Sequence, residues 1–238
     1  MRLISAELFK LRTTRAFYAL AIGALGFTLL ITALGAIFDE SGLVLGDVMM
    51  IAFFTQLITL VIGILCITNE FRHGTITPTL LVSPVRPRLV LAKVVASLLV
   101  GLVLGLAACA IIAGVVALDG GDSDEALKLI AGGAILAGVY AVLGVGVGAI
   151  IRNQVGAIIG ALVYILLLEG LIGLVPGIDD VLPIYGLGGT SQSLRATDAG
   201  DTSTDFLAQL PGGLLLAGYV VVVVIAGIAV MRNRDVTA

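Results

Sequence analysis

The chain contains six long runs of apolar residues separated by short polar segments. Each run reaches the length of about 20 residues that a helix needs to cross a bilayer core of roughly 30 Å. The runs cover residues 16–38, 48–68, 94–118, 129–151, 155–175 and 211–231. Glu169 is the only charged residue inside them. This pattern predicts an all-α integral membrane protein, in which residues 1–238 form a single domain built as a six-transmembrane-helix bundle.

Composition excludes the other broad classes of protein. Only 12% of the residues are charged and 59% are hydrophobic, with a mean hydropathy of +1.18. A soluble domain of this size cannot bury so much apolar surface, so a soluble enzyme and a disordered chain are excluded. The net charge of −3 also argues against a nucleic-acid binder. The first apolar run is too long for a signal peptide and is followed by Asp39 and Glu40, which predicts a retained span.

Positive charges fall on one side of the predicted membrane. With a cytoplasmic N-terminus, 11 of the 13 Lys and Arg residues are on the inner face, and only Lys128 and Arg195 are outside. This asymmetry predicts a multi-pass protein of the cell (plasma) membrane with both termini in the cytoplasm. Residues 1–15 are too polar to span, and their apolar side predicts an amphipathic helix on the inner surface. A simple topology anchor is the alternative.

Two connecting segments are longer than a simple turn. The inner segment 69–93 has about 25 residues, whereas most connections need only a few. Its apolar Leu80 and Leu81 lie shortly before Pro84, which indicates a short helical piece packed against the membrane helices or against a soluble partner. The outer segment 176–210 is either an extracellular cap or an ordinary loop, with a possible helical turn at Ser191–Leu194.

Few polar residues interrupt the spans, and these are the candidates for a substrate path. They are Thr28, Thr32, Thr55, Gln56, Thr59 and Glu169. A helical Thr usually bonds a carbonyl of its own turn, so a structural role is the alternative for each threonine. For Glu169 the alternatives are a role in the path or in bundle packing, and a side chain that reaches outward to the membrane surface.

Small residues are spaced for close helix packing. Three GxxxG pairs lie inside spans: Gly101/Gly105, Gly144/Gly148 and Gly156/Gly160. Such pairs allow two helix backbones to approach, either within one bundle or between subunits. Cys66 and Cys109 fall in different spans, where we expect buried thiols.

The sequence contains none of the common motifs for nucleotide hydrolysis or metal-dependent catalysis. It has no phosphate-binding loop and no HExxH sequence, and its single histidine, His73, is predicted at the inner surface. Nothing therefore indicates a catalytic or metal site in this chain. If the protein performs energy-driven work, another polypeptide must supply the energy.

Three segments in this order resemble the permease subunits of type-2 ABC transporters, the small six-span kind found in actinobacteria and bacilli. They read AELFKLRTTR at 6–15, NEFRHGT at 69–75, and LLVSPVRP at 80–87 followed by Lys93. The resemblance implies a dimer of two permeases, identical or different, with separate ATPase subunits that bind ATP and Mg. Cargo in the family includes drugs, peptides and lipids, so efflux and multidrug resistance are expectations from the family.

The resemblance also implies roles for residues on the inner face. Residues 1–15 match the family's connecting helix, with Glu7, Lys10, Arg12 and Arg15. The loop after the second span matches its coupling helix, which receives force from the ATPase. The expected contacts are Glu70, Arg72, His73, Gly74, Thr75, Leu80, Leu81 and Pro84.

Two other classes of function stay open at this stage. An ATP-independent secondary transporter or channel predicts several intramembrane charges and broken helices, whereas the chain has one such acid. A membrane scaffold or enzyme subunit does not account for the long inner segment 69–93.

Overall fold

We describe the protein from a computed structural model over residues 2–38, 45–75, 86–118, 123–178, 181–195 and 207–233. These residues form helices and no strand. The helices, in chain order, are α1 (Arg2–Thr13), α2 (Arg15–Phe38), α3 (Leu45–Arg72), α4 (Arg86–Leu118), α5 (Ser123–Ile151), α6 (Gln154–Ile172), α7 (Leu182–Tyr185), α8 (Leu187–Arg195) and α9 (Gln209–Asn233).

Six of these helices are long and apolar enough to cross a membrane: α2, α3, α4, α5, α6 and α9. The predicted all-α bundle with six spans is therefore confirmed. Helix α1 is present as a separate helix, while its position on a membrane surface remains a prediction.

The helices on either side of the predicted inner loop are longer than the apolar runs. Helix α3 continues to Arg72, and α4 already begins at Arg86. Charged residues end an apolar run without ending a helix, because Lys, Arg and Glu are good helix formers. Helix α3 stops where Gly74 adopts a left-handed φ of 64°, a common helix ending for glycine. Leu80, Leu81 and Pro84 lie outside the described residues.

Helix α5 forms the centre of the bundle. Of the candidate spans, α5 has the largest buried share, 72%, and α6 the smallest, 11%. Helix α5 packs against α3, α4 and α9. Helix α5 therefore lies in the interior of the bundle, and α6 lies at its surface.

Two of the three GxxxG pairs allow the close approaches to α5. A Cβ added at Gly101 on α4 would lie 2.6 Å from the carbonyl oxygen of Ala137. At Gly144 on α5 it would collide with the carbonyl oxygen of Leu60 on α3. These two pairs therefore pack inside the subunit. The third pair lies on exposed α6, and for it a subunit interface stays open.

One end of the bundle, which we call the basic end, comprises α1, the end of α3 with residues 73–75, the start of α4, the Arg152–Asn153 turn and the end of α9. At the opposite end, α8 folds back into the bundle. There the Tyr140 hydroxyl of α5 lies 2.9 Å from the Ser191 hydroxyl of α8. Thr190, Ser191 and Ser193 are all buried. Segment 176–210 thus contains a packed helix, longer than the predicted turn at 191–194.

Candidate functional site

Four charged side chains from three helices meet at the basic end. Lys93 Nζ on α4 donates to Glu7 Oε2 on α1 at 2.6 Å and to Glu70 Oε1 on α3 at 2.8 Å. Lys10 Nζ on α1 donates to Glu7 Oε1 at 2.9 Å and to Glu70 Oε1 at 2.8 Å. We call these four residues the ion-pair cluster. It carries two positive and two negative charges and is formally neutral.

Lys93 depends most on its hydrogen-bond partners, because only 1% of its surface is exposed. Its third hydrogen bond goes to the carbonyl oxygen of Cys66 at 3.1 Å. An ammonium has three N–H donors, so every donor of Lys93 has a partner. A buried charge is tolerated only with such pairing, since its desolvation costs several kcal/mol. The cluster therefore fixes the relative positions of α1, α3 and α4.

The two carboxylates differ in how well they are paired. Both oxygens of Glu7 accept hydrogen bonds. Oε1 of Glu70 accepts from both lysines, whereas its buried Oε2 has no hydrogen-bond partner among the described residues. Glu70 thus retains unused hydrogen-bonding capacity next to the end of α3.

Lys10 lies at the open side of the cluster, with 47% of its side chain exposed. Burial disfavours its charged form, but the hydrogen bonds to Glu70 and Glu7 and the attraction of both carboxylates outweigh that effect. The pKa of Lys10 is therefore raised above its ordinary value. At physiological pH the residue is an ammonium, consistent with a neutral cluster.

A second set of contacts ties the end of α3 to α6 and α9. Arg72 Nη1 donates to Gln154 Oε1 at the start of α6, at 3.1 Å. The guanidinium of Arg152 lies 5.6 Å from the centre of the Phe71 ring, and its Nη2 donates to the carbonyl oxygen of Val230 on α9 at 2.7 Å. Residues 70–72 consequently contact elements on both sides of the bundle.

Arg152 reaches these partners because of the turn that carries it. It adopts a left-handed φ of 56° between α5 and α6. The next residue, Asn153, caps α6 by accepting the N–H of Gly156 at 3.0 Å. The tight turn directs the guanidinium back toward the end of α3.

Beside the ion-pair cluster lies a pocket of about 380 Å³ between α1 and the end of α3, lined by polar and apolar side chains. Its lining includes Lys10, Thr13, Thr14, Glu70, His73 and Thr75. Arg72, His73, Gly74 and Thr75 are exposed next to it. We call these four residues the α3 tip. The ion-pair cluster lies directly behind this exposed tip.

The residues that the sequence placed together at the inner face differ in burial. Glu7 and Glu70 are buried in the ion-pair cluster, at 3% and 6% exposure. Arg12 and Arg15 are exposed on α1 and at the start of α2. Contact of Glu70 with an ATPase remains a prediction, as does the assignment of Glu7, Arg12 and Arg15 to a connecting helix.

The polar residues of α2 and α3 lie inside the bundle. Thr28 and Thr55 meet across the two helices, with their hydroxyl oxygens 3.3 Å apart. Thr32 and Thr59 donate to carbonyl oxygens of their own helices, as the structural alternative predicts. Gln56 is also fully buried. A role of these residues in a substrate path stays a prediction.

Glu169 has a defined structural partner at the opposite end of the bundle. Its Oε1 accepts the N–H of Gly188 in the first turn of α8, at 2.6 Å. A carboxylate at this position satisfies an N–H that the helix leaves unpaired. Glu169 therefore links α6 to α8, a contact of the kind that the bundle-packing alternative describes, while a role in the path stays a prediction.

Neither the pairing of Lys93 with Glu7 nor the role of Arg152 was predicted from the sequence. Lys93 was noted only as the residue before the third span. The available signal was a lysine next to 25 uncharged residues, since an ionisable group at the edge of a span usually has a partner. Nothing in the sequence indicated which partner.

Comparison with known proteins agrees with this architecture. A family profile described as ABC-2 family transporter protein matches residues 3–168. That region includes the whole ion-pair cluster and the α3 tip. A comparison with curated proteins gave no match. Because the family profile matches more than half of the chain, the protein belongs to the ABC-2 transporter family.

Proposed function

We propose that this protein, a permease subunit of an ABC transporter, exports a drug, peptide or lipid-like substrate using a separate ATPase subunit. ATP and Mg are bound by that ATPase, and this chain contributes the membrane path. Two permease subunits pair in the cell membrane, with their N- and C-termini in the cytoplasm. The basic end of the bundle then faces the ATPase.

The observation that carries the proposal is the position of the α3 tip. Arg72, His73, Gly74 and Thr75 are exposed, while Glu70 one turn earlier is held by the ion-pair cluster. A force on the tip is passed to α1 and α4 through Glu70, and to α6 and α9 through Arg72 and Phe71. Leu80, Leu81 and Pro84 complete the contact surface in this proposal.

In this proposal the permease performs no chemistry, and it responds to the ATPase by rearranging its helices. Rigid connections between the α3 tip and the other helices transmit that movement. The permease contributes a difference in substrate affinity between two arrangements of the helices. ATP binding by the ATPase pair moves the α3 tips, and the ion-pair cluster makes α1, α3 and α4 move as one unit.

The exposed face of α6 favours pairing with a second permease subunit. Only 11% of its span is buried, and Ile159 and Leu166, which do not line the cavity described below, are more than half exposed. An apolar helix face that this chain leaves uncovered is available for packing against a second copy. We place the subunit interface at this face.

The proposal is tested by purifying the tagged protein from membranes of its own host in a mild detergent. We expect an ABC ATPase to copurify with vanadate-sensitive ATP hydrolysis. Arg72→Glu should lower the apparent affinity for the ATPase about tenfold, which corresponds to about 1.4 kcal/mol. Reversing one charge in a polar contact acts through repulsion with the partner.

Two control variants separate this contact from effects within the subunit. Gln154→Ala removes the internal hydrogen bond of Arg72 but keeps its charge, and should retain the ATPase. Arg12→Glu makes the same charge change on exposed α1 and should also retain it. Absence of any copurifying ATPase, or equal loss with Arg72→Glu and Arg12→Glu, would overturn the coupling assignment.

A further inference from the structure

A large apolar cavity lies between α6 and the rest of the bundle. Its volume is about 940 Å³, within the range of about 300–1,000 Å³ typical of ligand pockets. Its walls come from α5, α6, α9 and the segment leading to α8. They include Leu143, Ala161, Tyr164, Ile165, Tyr219 and Val222.

This cavity is unsuited to water. It has room for on the order of 30 water molecules, and most of its lining side chains are apolar and cannot bond them. The cavity is open at the protein surface, where Val222 is 65% and Tyr164 43% exposed. Helices α6 and α9, which border this opening, are apolar and long enough to cross a membrane, so in a bilayer the opening between them faces hydrocarbon.

Polar groups gather near one part of the cavity only, at the end close to α8. The Tyr219 hydroxyl donates to the carbonyl oxygen of Tyr185 at 2.8 Å. The hydroxyl of Tyr164 has no hydrogen-bond partner among the described residues. Gly186 also lines the cavity, and the Glu169 carboxylate lies in contact range behind it.

The hydrogen-bonding pattern of the α6 backbone changes beside this polar end of the cavity. Tyr164–Leu168 form a π-helical turn, in which the N–H of Glu169 bonds to the carbonyl oxygen of Tyr164. Such turns are rare and occur often at functional sites. Here the turn begins at Tyr164, and Glu169 directly follows it.

We infer that this cavity binds a membrane-dissolved amphiphile, with its hydrocarbon part between α6 and α9 and its hydrogen-bond-donating head group at Tyr164 and Glu169. A cationic amine suits this end, because the nearest charge is a carboxylate. The inference names a substrate class and to that extent rests on the proposed function. Binding is measured without the ATPase, so either one can fail while the other holds.

The chain contains no tryptophan, which allows a single introduced Trp to report on the cavity. Gly160 lines the cavity, and a Cβ there would lie 3.9 Å from the nearest side-chain atom, in Ile151. Gly156, one turn earlier on α6, is similarly open at 3.6 Å but is not part of the lining. Gly160→Trp and Gly156→Trp are therefore matched reporters.

Each variant is placed in nanodiscs and titrated with dibrominated oleylamine, whose bromine atoms quench Trp fluorescence. We expect saturable quenching of Gly160→Trp that unbrominated oleylamine reverses. Gly156→Trp should show only weak quenching that rises in proportion to the probe. Equal, non-saturating quenching at both positions would overturn the inference. If Gly160→Trp does not fold, Val222→Trp on the opposite wall is the second reporter.

The head-group assignment has its own test in the same assay. Adding Glu169→Gln or Tyr164→Phe should weaken amine binding roughly fivefold, the loss of about one hydrogen bond. Dibrominated oleic acid should bind more weakly than the amine to the protein with Glu169 intact. Equal binding of acid and amine, unchanged by either substitution, would contradict the assigned head group.

Discussion

The ammonium of Lys93 lies 2.6 Å from a carboxylate oxygen of Glu7, a residue 86 positions earlier in the chain. Both side chains are at least 97% buried. Their contact brings the first helix of the protein against the start of the third candidate span.

The Lys93–Glu7 ion pair restricts movement of α1 relative to α4 more than it contributes to the free energy of unfolding. A buried ion pair recovers little more than its desolvation cost, whereas breaking one costs much, because a charge is left without a partner. The cluster is therefore stable as a unit and resists separation of α1 from α3 and α4. That property suits an element that transmits displacement.

Replacing Lys93 by methionine should destabilise the protein strongly. The change leaves Lys10 as the one cation that Glu7 and Glu70 share, so one buried negative charge is uncompensated, which costs about 3–5 kcal/mol. The expected result is a large fall in the thermal unfolding temperature of the detergent-solubilised protein. Lys10→Met is the matched control, since Lys10 is half exposed and its loss should cost about 1 kcal/mol or less.

A double variant checks the cause of that loss. Adding Glu7→Gln to Lys93→Met removes one uncompensated charge and should restore part of the unfolding temperature. Equal destabilisation by Lys93→Met and Lys10→Met, or no recovery in the double variant, would contradict the described role of Lys93.

The contribution of Lys10 should depend on pH at the alkaline end. Because its pKa is higher in the folded protein than its ordinary value of 10.5, the stabilising effect is fully present below pH 10.5. It is lost as the pH rises through the higher, folded-state value. The difference in unfolding temperature between the parent protein and Lys10→Met should be constant at neutral pH and shrink above pH 10.5. A difference that grows at alkaline pH would contradict this sign.

The six spans could be predicted from the sequence because bilayer thickness fixes the length of the apolar runs. Lys93 could not be placed in the same way. The apolar run ends at this charged residue, so the sequence predicted a loop there, whereas the structure places Lys93 inside α4. Its burial depends on Glu7 and Glu70, and a pattern along the chain does not show which distant residues meet.

Glu169 illustrates the same limit at the opposite end. The sequence showed one acid in an apolar run and allowed a role in the path or in bundle packing, or an outward-reaching side chain. Its partner, Gly188, became apparent only with α8 in place. That helix is weakly marked in the sequence because Ser and Thr residues favour loops, yet here their hydroxyls bond carbonyls of the same helix.

The contact between α5 and α3 at Gly144 should not tolerate even one added carbon atom. At Gly144 on α5, a Cβ would collide with the Leu60 carbonyl oxygen and lie 2.9 Å from the Ile64 nitrogen. Gly144→Ala should therefore destabilise the protein by about 1–3 kcal/mol. Gly114→Ala is the control, because nothing lies within 4 Å of its added Cβ. Thermal unfolding of both variants should separate them, and equal unfolding temperatures would argue against this packing.

The bond from Glu169 to α8 should depend on an acceptor oxygen more than on charge. Glu169→Gln keeps a carbonyl oxygen for the N–H of Gly188, while Glu169→Ala leaves that N–H without its partner. Losing one hydrogen bond of about 1 kcal/mol should speed hydrogen exchange of the Gly188 amide roughly fivefold in the alanine variant. The glutamine variant should stay within about twofold of the parent protein. Gly186→Ala should resemble Glu169→Ala, because its methyl group would displace the same carboxylate. If the alanine and glutamine variants exchange equally fast, the carboxylate does not hold α8 in place.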